Sequence, residues 1–334
     1  MGPFNLPILA IITITLLVSA VLSAIFTKNL IPFLKKKQLK QYVREEGPTA
    51  HLSKTGTPSM GGMAIVAATI LATLMVATVN SIITLGTAMM LVGMILFGII
   101  GFVDDYEKAI KKNNLGLNPK QKIIMQFVFS AIIAVIAYNF SGNSIVKGSE
   151  IWFPFINEYV DLGIFYIPFV MFVLTAFSNA VNLTDGLDGL ASGVTALVSF
   201  CMVTIGLSFG FSGEPNGFAA ISGACLGFLM FNRYPAKIFM GDTGSMALGG
   251  ALATGAIMMK MEILLAIAGL IYVIEALSVI IQVTYYKKTK KRIFKMAPIH
   301  HHFELSGYAE KKVAYMFWAA TLVFCLLAIG IAQI

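Results

Sequence analysis

Charge is what this chain has least of. Only 12% of its 334 residues are Asp, Glu, Lys or Arg, while 57% are hydrophobic and the mean hydropathy is +0.83. A soluble globular domain carries about a quarter charged residues, so that class is excluded. Cysteine is almost missing, and Cys201, Cys225 and Cys325 all fall inside apolar runs. A disulfide framework and a cysteine-based zinc site are therefore not expected, and no redox compartment can be read. No basic stretch precedes the first apolar run, Phe4 to Phe26. That run is too long for a signal-peptide core and is expected to be a retained span.

What the chain does have is a series of apolar windows. Those long enough to cross about 30 Å of hydrocarbon fall near 4–34, 61–79, 82–103, 121–138, 163–180, 189–209, 216–231, 244–259, 262–286 and 312–333. The breaks at Asn80-Ser81 and at Lys260-Met261-Glu262 divide two runs that are too long for single crossings. The expectation is an all-α polytopic integral membrane protein of about ten transmembrane helices, forming one catalytic domain over 1–334. The seventh and eighth windows are short enough to be tilted, broken or partly re-entrant.

The net charge of +8 is a topology signal. With loops counted alternately, one side collects Lys35, Lys36, Lys37, Lys40, Arg44 and Lys54, then Lys108, Lys111, Lys112, Lys120 and Lys122. It also takes Arg233, Lys237, the basic run from Lys287 to Lys295, and Lys311 and Lys312. The opposite side keeps Lys147 and Lys260 beside Glu150, Glu158, Asp161, Glu214 and Glu262. The positive-inside rule makes the first side cytoplasmic and turns both termini outward. The cytoplasmic loops are then 35–60, 104–122, 180–189, 232–245 and 287–311, with an outer segment at 139–162. Lys28 lies near the inner end of the first span, where it can snorkel. Glu275 is the one acid deep in a span, and its role is left open between a relay and a structural partner.

The polar motifs cluster on the cytoplasmic side. Asp104 and Asp105, in GFVDDYEKAIKK, are placed where the third span meets water. Two carboxylates at a helix C-terminus repel each other and the dipole. Lys108, one turn on, relieves part of this, and a divalent cation would relieve more. The first loop carries Lys54 and Thr57 before Gly61-Gly62, a pattern that suits either a phosphate at a helix N-terminus or a turn. NAVNLTDGLDGLASG spaces Asn182, Asp185 and Asp188 by three, roughly one helical face. In FNRYPAKIFMGDTGS, Asp242 stands between glycines, and Phe239 is either a base-stacking ring or an interface aromatic. MAPIHHHFE supplies His300, His301 and His302, which suit phosphate contact or proton transfer better than a three-histidine zinc site. Acids, amides, lysines and histidines on one face, with a nearly bare midplane, favour an interfacial enzyme acting on a phosphate-bearing substrate over a transporter.

DDYEK at 104–108, NLTDGLDGLA at 182–191, GDTGS at 241–245 and APIHHHFE at 297–304 resemble the polyprenyl-phosphate N-acetylhexosamine-1-phosphate transferases. The His triplet and the GTPSMGG loop are similar to the phospho-N-acetylmuramoyl-pentapeptide transferase branch, with Ser59 where threonine is usual. The resemblance runs from the first cytoplasmic loop to the last. It implies a Mg2+-dependent enzyme of the bacterial cytoplasmic membrane, with undecaprenyl phosphate and UDP-N-acetylmuramoyl-pentapeptide as substrates and lipid I and UMP as products. It also implies a homodimer.

Under that resemblance Asp242, Asp104 and Asp105 are the expected metal ligands. Asp104 or Asp105 is a base for the lipid phosphate, or one of them a covalent nucleophile; direct attack is the simpler route. Lys108 and Lys122 would neutralise phosphate oxygens, and Asn182 and Asp188 would hold the sugar nucleotide or order the site. Lys54, Asn232 and Phe239 would meet the uridine diphosphate, with Thr57 beside them. His300, His301 and His302 would contact phosphate or sugar, His301 among the catalytic groups. The rival within the superfamily is a UDP-N-acetylglucosamine:polyprenyl-phosphate transferase. The CDP-alcohol phosphotransferase signature begins like Asp185-Gly-Leu-Asp188-Gly189 but fails at Ala191-Ser192.

Overall fold

Ten long helices, two short ones and a two-stranded hairpin organise the computed structural model, which describes residues 6–37, 54, 56–111, 116–141 and 146–334. Lys40, Arg44 and Lys112, used above for sidedness, lie outside these residues. The order is α1 (Ile8–Lys36), α2 (Gly62–Val79), α3 (Leu85–Lys111), α4 (Pro119–Phe140), β1 (Glu150–Phe153), β2 (Glu158–Asp161), α5 (Tyr166–Thr184), α6 (Leu190–Ser208) and α7 (Gly213–Asn232). Then follow α8 (Gly241–Met259), α9 (Glu262–Ala268), α10 (Leu270–Thr289), α11 (Ile299–Glu304) and α12 (Glu310–Ile331).

Eight of these, α1 to α6, α10 and α12, are long and apolar enough to cross a membrane. The difference from the expected ten lies in α7 and α8, and it has a physical cause. Every residue from Gly213 to Cys225 and from Thr243 to Met259 is buried by other helices. A helix wrapped in protein needs small residues for close approach, not the large aliphatics that face lipid. Glycine, alanine and serine accordingly replace leucine and isoleucine there.

The same logic appears where α1 packs on α7. Thr15, Ser19 and Ser23, four residues apart, bond across to Asn216 Oδ1, Ala220 O and Ala224 O at 2.5, 2.6 and 2.7 Å. Interhelical bonds of this kind contribute about 0.6 kcal/mol each, so close packing carries most of the association.

Two further details depart from the sequence expectation. The window 262–286 is interrupted at Gly269, giving α9 and α10 separately. The third span continues past 103 to Lys111, so Asp104 and Asp105 lie within α3 instead of ending it. The segment between α4 and α5 contains an antiparallel hairpin pairing Glu150 with Asp161 and Phe153 with Glu158. Lys260 Nζ reaches Gly148 O at 2.6 Å, bringing the two lysines' loops of the less basic side to one end of the bundle.

Candidate active site

Asp242 opens α8, and its carboxylate is gripped from several helices. Lys122 Nζ lies 2.8 Å and Lys108 Nζ 3.1 Å from Oδ2, while Asn182 Nδ2 donates to Oδ1 at 2.9 Å. Lys122 is aimed by the start of α4, where Asn118 and Gln121 form a reciprocal capping box and Pro119 fills the first turn. Lys108 also pairs with Asp104 Oδ2 at 2.5 Å, the helical i,i+4 relation. Asn182 bonds Ser245 Oγ at 2.9 Å as well, tying α5 to the first turn of α8.

Asp105 plays a different part from its neighbour. It accepts from the backbone N–H of Asp242 at 3.1 Å, from that of Thr243 at 2.9 Å and from Thr243 Oγ1 at 2.7 Å. The N-terminal amides of a helix have no partners within it. Asp105 supplies them from α3 and so fixes Asp242 in space. The approach is possible because α3 has no side chain at Gly101. A Cβ there would sit 2.0 Å from Asp242 O. Gly241 has a φ of 75°, the left-handed conformation that turns the chain into α8.

Asp104, Asp105 and Asp242 each offer an oxygen within 4.8 Å of the others'. An all-oxygen set at this spacing is the donor chemistry that magnesium prefers. Asp185, absent from the expected site residues, belongs to this neighbourhood. It accepts a hydrogen bond from the Gly241 amide, and burial, then the Asp242, Asp105 and Asp188 carboxylates, push its pKa well above the usual carboxylate range. Its spacing in the sequence announced it; nothing there separated it from a turn residue.

Asp188 stands apart from the three acids. Lys54 Nζ lies 2.7 Å from Asp188 Oδ1 and 2.5 Å from Glu310 Oε1. Asp188 also takes the Ala236 amide at 2.8 Å, and its own N–H bonds Glu310 at 2.7 Å. Burial opposes the Lys54 charge, but bonds to Asp188 and Glu310 outweigh it and raise the lysine pKa. These residues knot three loops to the start of α12. Glu310 meets partners 256 and 122 residues away in the chain, a pairing that no local pattern marks.

The expected nucleotide-contacting residues divide in the same way. Asn232 is buried, taking Ser192 Oγ at 2.7 Å and donating to Ile238 O at 3.0 Å, so its amide braces the loop before α8. Phe239 is half-buried in a short backbone ladder with the first loop. Its N–H bonds Pro58 O, its carbonyl takes Gly61 N–H, and Met240 O takes Gly62 N–H, at 2.8, 2.9 and 2.8 Å. Thr57 turns back on Lys54 through a 3.1 Å backbone bond.

The histidines occupy the short helix α11 and point in different directions. His300 is buried against α10, its Nδ1 3.0 Å from Glu275 Oε1, which supplies the partner for that lone acid. A Cβ on Gly186 would lie 2.2 Å from His300 Nε2, so the ring packs on the 182–191 motif. His301 Nδ1 is 2.7 Å from Glu304 Oε2, and His302 Nδ1 accepts the Lys295 amide at 3.1 Å.

A sequence profile described as Glycosyl transferase family 4 matches residues 87–260. Proteins named phospho-N-acetylmuramoyl-pentapeptide-transferase align along nearly the whole chain. That of Thermoanaerobacter sp. (strain X514) is 46% identical over 319 residues, covering 95% of this chain and 97% of its own. That of Halalkalibacterium halodurans is 46% identical over 319 residues, with 96% and 97% covered. That of Clostridium perfringens (strain 13 / Type A) is 45% identical over 317 residues, with 95% and 97% covered.

Proposed function

The chain belongs to the phospho-N-acetylmuramoyl-pentapeptide-transferase family, and from that premise we propose that it makes lipid I. An oxygen of undecaprenyl phosphate attacks the β-phosphorus of UDP-N-acetylmuramoyl-pentapeptide. A new phosphoanhydride forms, the bond from the β-phosphorus to the bridging oxygen breaks, and UMP leaves with the electron pair. The observation that carries this reading is the convergence of Asp104, Asp105 and Asp242 with Lys108 and Lys122 at one end of the bundle.

Two anionic reactants approach each other only if their charge is neutralised, and positioning with charge compensation supplies most of the catalysis in phosphoryl transfer. Asp104, Asp105 and Asp242 would hold Mg2+, which would supply positive charge to offset that of the phosphates. Lys108 and Lys122 contribute ammonium groups at the same carboxylates. Asn182 orients Asp242, and Asp105 holds the start of α8. A phosphate monoester is largely ionised at neutral pH, so direct attack needs no strong base.

The lipid head stays at the interface, and residues at helix ends meet it there. The same reading makes α7 and α8 two further crossings, ten in all, with both termini outside and the acids at the cytoplasmic face of the bacterial inner membrane. The family resemblance also carries the pairing of two copies. The test is Mg2+-dependent UMP release by purified protein with undecaprenyl phosphate and either UDP-N-acetylmuramoyl-pentapeptide or UDP-N-acetylglucosamine. Asp242→Asn should abolish turnover of the muramoyl donor while unfolding at the wild-type temperature. Turnover of the N-acetylglucosamine donor alone, or full activity in Asp242→Asn, overturns the assignment.

A further inference from the structure

Two side-chain amides join α4 to α5 inside the bundle. Gln126 Nε2 donates to Asn179 Oδ1 at 3.1 Å, and Asn179 Nδ2 donates back to Gln126 Oε1 at 3.1 Å. Gln126 also reaches Ser178 Oγ at 3.3 Å, and Asn179 reaches Thr175 O at 2.8 Å. Gln126 is 1% exposed. A buried amide is costly unless paired, and polar groups within membrane helices tend to be functional.

The position of this pair relates it to the acids. Lys122 precedes Gln126 by one turn on α4, and Asn182 follows Asn179 by three residues on α5, so each shares a helix face with its amide. Lys122 and Asn182 grip opposite oxygens of the Asp242 carboxylate at 2.8 and 2.9 Å. The two helices thus meet at the amides and, one turn nearer the site, at Asp242. Both reciprocal amide bonds form at only one relative height of the helices. A slide by one residue, about 1.5 Å, would break them and carry one donor out of range of Asp242.

We propose that Gln126 and Asn179 are a positioning pair, setting the height of α4 against α5 so that Lys122 and Asn182 hold Asp242 in its working orientation. The proposal rests on the reading of Asp242 as the centre of phospho-sugar transfer. Neither amide is a catalytic residue; both act through Asp242.

The experiment uses full-length Gln126→Leu, Asn179→Leu and the double variant. Three quantities are read: steady-state UMP release, thermal unfolding, and the acylation rate of Lys122 relative to exposed Lys120 by mass spectrometry. Loss of the pair should lower kcat by roughly 100-fold and leave the donor KM within about threefold. The double variant should be no worse than either single one, because the amides act as a unit. Lys122, released from Asp242, should be acylated several-fold faster. Wild-type kcat or unchanged Lys122 labelling in folded variants overturns the proposal, as does a kcat that falls only with the folded fraction. Should the wild type release no UMP, the transfer reading is what fails, and Lys122 labelling alone decides the positioning role.

Discussion

Glu275 Oε1 lies 3.0 Å from His300 Nδ1, and both side chains are shut off from solvent. The acid on α10 therefore fixes which way the ring on α11 faces, and His300 rests against Gly186 of the aspartate motif. Glu275→Ala should leave a buried donor unpaired, a loss of about 1–3 kcal/mol, and lower both Tm and turnover. Glu275→Gln keeps an acceptor in place and should be milder on both counts. Unfolding of Glu275→Ala at the wild-type temperature would show that the contact does not hold the ring.

The crossing of α3 over the start of α8 gives a steric prediction. Gly101→Ala pushes a methyl group into the Asp242 carbonyl, a backbone atom that cannot swing aside. The variant should be recovered in poor yield or lose at least about tenfold in turnover, since small misplacements at a reacting centre cost that much or more. Gly330→Ala, with open space around it, serves as the control and should behave as wild type. Equal yield and turnover for the two variants would contradict the close approach.

The hairpin between α4 and α5 carries a pH prediction. Hydrogen bonds from Ser149, Lys147 and the Gly163 amide hold the Asp161 carboxyl down to about 2. A carboxyl depressed on folding stabilises above its unfolded pKa, here about 3.8, and that contribution fades as pH falls through the folded value. Trp152, bonded to Asn157 at 3.2 Å and packed on Phe209, reports on this segment. In a Trp318→Phe background its emission should hold steady from neutral pH to about 4 and shift red below. Asp161→Asn should remove that protection, and an identical acid profile in the two proteins would refute the link.

Much of this arrangement was legible beforehand because lipid imposes strict length and charge rules. Eight helices long and apolar enough to cross a membrane announce themselves by hydropathy, and GDTGS opens α8, whereas the Asp-Asp pair, expected at a helix end, sits two turns inside α3. The sequence could not show that α7 and α8 are sheathed by protein, since glycine-rich helices look weakly apolar wherever they sit. Nor could local spacing pair residues far apart in the chain. Asp188 has the same motif context as Asp185, yet it belongs to Lys54 and Glu310, while Asp185 takes the Gly241 amide beside the acids. Asn232 and Lys54 carry groups suited to a nucleotide, and both are occupied by neighbouring loops.

The sheathing of α8 has a mechanical corollary. With every residue from Thr243 to Met259 covered by its neighbours, the shaft bearing Asp242 offers the bilayer no surface to push against. Thickening, thinning or stiffening of the surrounding lipid acts first on the outer helices α1, α4 and α12, whose flanks are largely uncovered. Such stress reaches Asp242 only through its neighbours, among them α3 and α4, which carry Asp104, Asp105 and Lys122 and do have uncovered flanks.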